Sequence, residues 1–121
     1  MKLFLITGSI LAATAVIFGA FGAHALKTRI SLEDLNIFET AVRYQMYHAL
    51  GIILVGIMGF HLPHESLSLP TYFITGGIII FSGSLYLLIF TQLRWLGAIT
   101  PLGGAGLILG WILLAINIYK S

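Results

Sequence analysis

The chain has 121 residues and a formal charge of only +2, and 59% of its residues are hydrophobic whereas 8% are charged. Soluble domains are about half apolar and about a quarter charged, so this composition excludes an ordinary soluble protein and indicates a membrane protein. The small charge, with no basic stripe, argues against nucleic acid as a partner, and the absence of cysteine excludes disulfide and thiol chemistry.

The chain length accommodates four membrane-spanning helices. Each span needs about 20 residues to cross roughly 30 Å of hydrocarbon, which leaves only short connections and no separate soluble domain. We therefore predict an all-α integral membrane protein in which residues 1–121 form a single antiparallel bundle of four transmembrane helices with short loops. The spans are expected at about 3–26, 38–60, 70–92 and 100–119.

The first span contains no Lys, Arg, Asp or Glu. A cleaved signal peptide is the competing interpretation, because Lys2 precedes an apolar run that ends in the A-x-A pattern Ala23-His24-Ala25. That run is longer than the roughly 7–15 residues of a signal-peptide core. We therefore expect a retained span.

The second span follows the first break in hydrophobicity, at 27–36. Ser31 is the candidate N-cap, and Glu33 and Asp34 supply acidic residues to the first helical turn. The helical pattern then continues to about residue 60, which is longer than a span requires. We expect the first turns to lie at the membrane interface.

Proline marks the starts of the third and fourth spans. After a predicted loop at 61–69, Pro70 is expected in the first turn of the third span, where its missing N–H costs little. Thr100-Pro101 repeats the pattern as an N-cap followed by proline at the first helical position.

Four spans place both termini on one side of the membrane, here called side A, and the 27–37 and 93–99 connections on side B. Lys27, Arg29 and Arg94 flank the membrane on side B, whereas Lys2 and Lys120 do so on side A. Because cytoplasmic loops carry the excess of Lys and Arg, this distribution predicts that the 27–37 and 93–99 loops are cytoplasmic.

Consecutive spans run in opposite directions, so the depth of each residue in the membrane can be assigned from its position along its span. By this assignment, the polar residues of all four spans are concentrated in the half near side B. The candidates for a polar network or a ligand-binding site are His24, Glu39, Arg43, Tyr44, His48, Ser82, Ser84, Tyr86 and Thr100. The halves near side A are mostly apolar. We expect a polar intramembrane cavity near side B.

The stretch FETAVRYQMYHAL (38–50) is amphipathic, and its polar side is expected to line the bundle and to face His24 and the third span. Glu39 and Arg43 are spaced i,i+4 and are expected to pair, because an unpaired charge at mid-bilayer costs at least about 2.5–3.5 kcal/mol. Two alternatives remain open: the pair could snorkel to headgroup depth and only anchor the helix, and His48 could only hydrogen-bond a neighbour.

Small residues are spaced for close helix packing, as in Gly106-x-x-x-Gly110. In lipid, such spacings allow two helix backbones to approach each other. They indicate packing within the chain and, less directly, an oligomer contact.

Four strings resemble a known family: FGAFGAHAL (18–26), FETAVRYQMYHAL (38–50), FSGSLYLL (81–88), and ITPLGG (99–104) followed by Gly110-Trp111. They are similar to the YgdD/YwdK-like small membrane proteins of bacteria, which are related to transmembrane protein 256 of eukaryotes. The resemblance covers nearly the whole chain and implies a multi-span protein of unknown function, which we expect in the bacterial cytoplasmic (inner) membrane. The matching positions are Gly19, Gly22, His24, Thr40, Tyr44, Gln45, His48, Ser82, Gly83, Ser84, Tyr86, Pro101, Gly103 and Gly104.

The expected function is non-enzymatic. The sequence contains neither H-E-x-x-H nor G-x-S-x-G, and we expect no metal and no cofactor. The cavity near side B is expected to bind a small polar ligand, a lipid headgroup or a proton, with membrane lipids as partners. Two alternatives are a structural or assembly partner, which includes a homo-oligomer, and an electron-transfer module with His24 and His48 as haem ligands.

Overall fold

The computed structural model describes residues 1–121 and contains four long helices and no strand. Helix α1 comprises Lys2–Leu26, α2 comprises Leu32–Met58, α3 comprises His64–Thr91 and α4 comprises Thr100–Lys120. A short 3-10 helix, Arg94–Ala98, connects α3 to α4. All four helices are long and apolar enough to cross a membrane, which confirms the predicted all-α membrane fold.

The start of α2 is formed by the predicted capping residues. The Ser31 hydroxyl accepts a hydrogen bond of 3.1 Å from the backbone N–H of Asp34, and Glu33 and Asp34 lie in the first turn. Acidic side chains there interact favourably with the positive end of the helix dipole. The prediction of Ser31 as the N-cap is therefore confirmed.

The start of α3 differs from the prediction. The helix begins at His64, with Pro63 as the N-cap, so Pro70 lies inside the helix instead of in its first turn. Proline cannot donate the i to i−4 hydrogen bond, which leaves the carbonyl of Ser66 without its usual partner. The Asn117 side chain of α4 donates to this carbonyl at 3.1 Å, so a neighbouring helix compensates for the proline.

Helix α1 contains a feature that the sequence did not predict. Residues Ile17–Gly22 form a π-helical turn, in which the backbone hydrogen bonds span five residues instead of four. The turn lies in the half of α1 near side B. Gly19 there faces Val42 of α2, and Gly22 faces the ring of Phe38.

Helices α2 and α3 form the centre of the bundle. In the most apolar stretch of each helix, 44% of the residues are buried, compared with 17% in α1 and 22% in α4. Close backbone packing follows the chain order, with α1 on α2, α2 on α3 and α3 on α4. Helices α1 and α4 therefore flank the central pair.

The hydrophobic core has two parts, one on either side of the middle of the membrane. The part near side A consists of Phe4, Ile52, Val55, Leu67, Ile74, Ile78, Leu107 and Leu114. The part near side B consists of Phe38, Leu88, Ile89 and Leu96. Between these two apolar clusters lie the buried polar side chains of Gln45, Ser82 and Ser84. A separate polar cavity of about 520 Å³ lies at the side-B end of the bundle, lined by Arg29, Ile30, Ser31, Asp34, Ile89, Gln92 and Arg94.

Candidate functional site

The face of α2 that points into the bundle is not the one predicted. The buried stripe of α2 consists of residues that are three, four or seven positions apart, as on one side of a helix. They are Phe38, Ala41, Gln45, Ile52 and Val55. The helix is thus rotated so that its charged side does not line the interior.

Three of the predicted polar-face residues consequently lie outside the core. Arg43 and Tyr44 are exposed and Glu39 is half-buried. His48 is the one charged or aromatic polar candidate of α2 that is buried, with 8% of its surface exposed.

Gln45 is the centre of the interior polar layer. Its amide nitrogen donates to the Leu11 carbonyl at 2.8 Å and to the Thr14 hydroxyl at 2.7 Å, both in α1. Its amide oxygen accepts a hydrogen bond of 2.6 Å from the Tyr86 hydroxyl of α3. One side chain therefore connects three helices, and all its hydrogen-bonding groups have partners.

The remaining hydroxyl candidates form two further contacts between helices. Ser82 donates to the backbone carbonyl of Ala41 at 2.7 Å, which joins α3 to α2. The hydroxyls of Ser84 and Thr100 lie 2.6 Å apart and join α3 to α4. Every buried side-chain nitrogen and oxygen of the chain has at least one hydrogen-bond partner.

A cavity of about 240 Å³ adjoins this layer between α1, α2 and α3. Its lining residues are Leu11, Thr14, Phe18, Gln45, Ile78, Ile79, Ser82, Gly83 and Tyr86. The polar members of this set already bond to one another or to backbone carbonyls. The free surface of the cavity is consequently apolar and suits a hydrocarbon chain better than a polar ligand.

His48 bonds within its own helix. Its Nδ1 atom lies 2.7 Å from the Tyr44 carbonyl, and because a carbonyl only accepts, Nδ1 carries the hydrogen. The imidazole lies 5.9 Å from the Trp111 ring of α4, and the Tyr44 ring stacks on Phe81 at 4.6 Å. His48 and Tyr44 thus belong to an aromatic cluster at the α2–α4 side, separate from the Gln45 layer.

His24 is exposed at the end of α1 near side B and has no hydrogen-bond partner in the chain. The expectation that the polar side of α2 faces His24 is therefore wrong, because α2 is rotated and His24 points outward. His48 lies near the middle of α2, so the two histidines do not converge as a ligand pair. No group of three or more His, Asp or Glu side chains comes together that would hold a metal ion.

Glu39 and Arg43 line a groove between α1 and α2, on the outer surface of the bundle. Gly19, Ala23 and Val42 complete its lining, and its volume is about 260 Å³. The predicted Glu39–Arg43 ion pair is not formed, since the Asp34–Arg94 pair is the only salt bridge of the chain. Arg43 instead donates a hydrogen bond of 3.3 Å to the Thr40 hydroxyl, and Glu39 has no hydrogen-bond partner.

The groove lies on the outer surface of the half of the bundle near side B. Helix α2 has 27 residues and is about 40 Å long, so about 30 Å of hydrocarbon centred on it covers all but the terminal turns. Glu39 then lies a few ångströms inside the hydrocarbon edge, and Arg43 lies one turn deeper. Two charges that do not neutralise each other therefore border the acyl region, which is costly unless another group compensates them.

The end of the bundle at side B is held by Asp34, Gln92 and Arg94. Arg94 donates to both carboxylate oxygens of Asp34, at 2.9 and 3.1 Å, and to the amide oxygen of Gln92 at 2.7 Å. Gln92 also donates to Asp34 at 3.3 Å and adopts a left-handed backbone conformation, with φ of 59°, which ends α3. The three residues attach the connection after α3 to the first turn of α2.

The Asp34 contact predicts a local change in dynamics. In Asp34→Asn, the bidentate pair with Arg94 is lost, and we expect faster amide hydrogen exchange across 92–99 than in the parent chain. Arg94→Lys should give an intermediate rate, because lysine keeps the charge but lacks the planar fork. Hydrogen exchange measured by mass spectrometry in detergent tests this, with the distant 60–63 connection as the internal control. Unchanged exchange across 92–99 in both variants would contradict the structural role of Asp34.

Several residues that join the helices inside the bundle or at its side-B end were not among the predicted candidates. Gln45 was noted only as a motif position, and Thr14, Asp34 and Gln92 were not assigned to the site. The sequence did contain a signal for Gln45. This residue lies on the same side of the helix as the apolar residues Phe38, Ala41 and Ile52, and it is the one amide among them. A polar side chain on such a stripe must find partners inside the bundle.

The fold and its polar layer define a small membrane protein with four spans and an all-α core. The chain belongs to the family described as protein of unknown function (DUF423), whose model matches residues 18–104. The resemblance expected from the four sequence strings is thereby confirmed.

Curated relatives extend over essentially the full chain. The chain is 46% identical to a UPF0382 membrane protein of Staphylococcus aureus (strain bovine RF122 / ET3-1), over 99% of this chain and 98% of that protein. It is 45% identical to the UPF0382 membrane protein YwdK of Bacillus subtilis (strain 168), again over 99% and 98%. A UPF0382 membrane protein of Staphylococcus saprophyticus is 44% identical, over 99% of each chain. No solved structure matches the chain.

Proposed function

We propose that this protein is a non-enzymatic membrane protein that binds the headgroup of a phospholipid in the groove of Gly19, Ala23, Glu39, Val42 and Arg43. We further propose that it resides in the bacterial inner membrane with side B in the cytoplasm, which places the groove in the cytoplasmic leaflet. The excess of Lys and Arg near side B supports this orientation.

One observation carries the proposal: Arg43 and Glu39 line a groove on the outer surface of the bundle and do not form an ion pair with each other. A guanidinium group carries five N–H donors, and Thr40 accepts from only one of them. The phosphate of a lipid headgroup offers a charge of opposite sign and several acceptor oxygens, and arginine binds phosphate through two parallel hydrogen bonds. A bound headgroup would therefore lower the cost of placing Arg43 in the membrane.

The interior of the bundle supports the same choice by elimination. Each polar group of the Gln45 layer already has a hydrogen-bond partner within the bundle. A ligand there would compete with existing hydrogen bonds, whereas a headgroup in the groove replaces none except the long contact of Arg43 with Thr40. The groove is also directly accessible from the bilayer.

Arg43→Gln should reduce phospholipid binding about tenfold, because a hydrogen bond to a charged group contributes about 1.5–3 kcal/mol and 1.4 kcal/mol corresponds to a factor of ten. The measurement is native mass spectrometry of the delipidated chain in detergent, with phosphatidylglycerol added at increasing concentration. Diacylglycerol with the same acyl chains lacks the phosphate and should bind weakly and equally to both proteins.

Lys27→Gln is the matched control, since it removes one exposed cation near side B outside the groove. It should retain the phosphatidylglycerol affinity of the parent chain. Equal losses in Arg43→Gln and Lys27→Gln would indicate unspecific attraction of an anionic lipid and would refute the groove as the site. Circular dichroism and size-exclusion chromatography confirm that each variant is folded.

A further inference from the structure

We infer that the groove selects a phosphoethanolamine headgroup, because the order of its two charges along the membrane normal matches the order of charges in that headgroup. This inference rests on the proposed function and specifies its ligand. It depends on the positions of Glu39 and Arg43 and on the direction of α2.

The charges are ordered by depth. Helix α2 begins at Leu32 near side B and runs inward, so Glu39 is the outer residue and Arg43 the deeper one. Residues four apart have Cβ atoms about 6 Å from each other on the same side of a helix. Both side chains extend toward side B, because the Cα–Cβ bonds of a helix tilt toward its N-terminus, and Arg43 indeed reaches back to Thr40. The backbone of Glu39 therefore lies nearer side B than the backbone of Arg43.

A phospholipid in the leaflet near side B has its charges in a complementary order. The phosphate is attached next to the glycerol and acyl chains, and the ethanolamine ammonium group lies beyond it toward water. The deep cation Arg43 then meets the phosphate, and the outer anion Glu39 meets the ammonium group. The reverse order of residues would bring like charges together, which is unfavourable in a medium of low dielectric constant.

The facing wall of the groove leaves room for such a group. Gly19 and Ala23 of α1 are small, are themselves spaced four residues apart, and lie opposite the charged side of α2. The π-helical turn Ile17–Gly22 includes Gly19, so the local geometry of α1 departs from a regular helix at the groove. The volume of about 260 Å³ approaches the lower end of the range for small-molecule sites, about 300 Å³.

Glu39 discriminates between headgroups by hydrogen bonding. The primary ammonium of phosphoethanolamine has three N–H donors for the carboxylate, as a lysine side chain does. The trimethylated ammonium of phosphocholine keeps the charge but has no donor. Phosphoglycerol has no positive charge to meet Glu39. Phosphatidylethanolamine should therefore bind more tightly than phosphatidylcholine or phosphatidylglycerol with the same acyl chains.

The test is a competition in native mass spectrometry, with the delipidated full-length chain and equimolar phosphatidylethanolamine, phosphatidylcholine and phosphatidylglycerol of identical acyl composition. We expect phosphatidylethanolamine to occupy the parent chain at least about fivefold more than either competitor, since one charge-assisted hydrogen bond is enough for such a ratio. Glu39→Gln should abolish this preference, whereas the matched variant Glu33→Gln, which changes an exposed acid outside the groove, should preserve it.

A charge exchange tests the order directly. The double variant Glu39→Arg/Arg43→Glu keeps the net charge but should lose the preference for phosphatidylethanolamine. Soluble glycerophosphoethanolamine at the lipid concentration should not displace the lipid, and displacement would overturn the assignment to a membrane lipid. Equal binding of the three lipids, with a loss in Arg43→Gln, would overturn the inference and leave headgroup binding intact. The absence of any loss in Arg43→Gln would overturn the proposed function as well.

Discussion

Replacing Gly103 with valine should destabilise the bundle by about 3 kcal/mol or more, the largest effect that we expect from a single substitution in this chain. A Cβ atom at position 103 would lie 2.7 Å from the carbonyl oxygen of Gly77 and would collide with the backbone nitrogen of Phe81. Overpacking costs about 1–3 kcal/mol where side chains can adjust, and more where they cannot. Here the obstacle is backbone, so α3 and α4 would have to separate.

Thermal or denaturant unfolding in detergent, followed by circular dichroism, measures the effect. Gly76→Val is the matched control, because a Cβ atom at position 76 meets no atom within 4 Å. Valine is also a slightly better helix former than glycine, so this control should be neutral or marginally stabilising. Equal destabilisation by the two substitutions would show that the close approach of α3 and α4 does not set the stability.

The contrast between Gly103 and Gly76 shows which features of the fold can be predicted from the sequence alone and which cannot. The number of spans and the fold class followed from hydropathy and length, because backbone hydrogen bonds can be satisfied in lipid only by helices or closed barrels. The spacing of Gly106 and Gly110 predicted close packing, yet hydropathy and spacing did not distinguish Gly103 from Gly76, and only the ITPLGG string singled out Gly103. That difference depends on which side of each helix meets a neighbour.

The site was harder to predict for the same physical reason. The rotation of α2 about its own axis decides whether Glu39 and Arg43 face the interior or the lipid, and hydropathy favoured the interior because charges in lipid are costly. In the structure, the polar positions of the interior are occupied by uncharged side chains that bond to one another, chiefly Gln45 and Tyr86. Charge alone is therefore a poor guide to the buried side of a transmembrane helix when an amide lies on its apolar stripe.

Removal of the Gln45 side chain should show how strongly the polar layer couples the helices. In Gln45→Leu, the Tyr86 hydroxyl loses its acceptor at 2.6 Å, and the Thr14 hydroxyl and Leu11 carbonyl lose a donor. An unsatisfied buried polar group costs about 1–3 kcal/mol, although single hydrogen bonds between transmembrane helices average only about 0.6 kcal/mol. Because three bonds are lost together, we expect a destabilisation of about 2 kcal/mol.

A double-mutant cycle separates the hydrogen bond from the loss of packing. Tyr86→Phe alone should cost about 1 kcal/mol, because it leaves the Gln45 amide oxygen without a donor. Gln45→Leu/Tyr86→Phe removes both partners, so its cost should be about 1 kcal/mol less than the sum of the single variants. Thr91→Val is the control partner, because Thr91 is exposed, and its hydroxyl donates to the Leu87 carbonyl of its own helix and accepts only a long contact of 3.4 Å from the nearby Leu93 N–H. Its effect should add to that of Gln45→Leu, whereas additivity between Gln45 and Tyr86 would mean that their contact contributes nothing to the stability of the bundle.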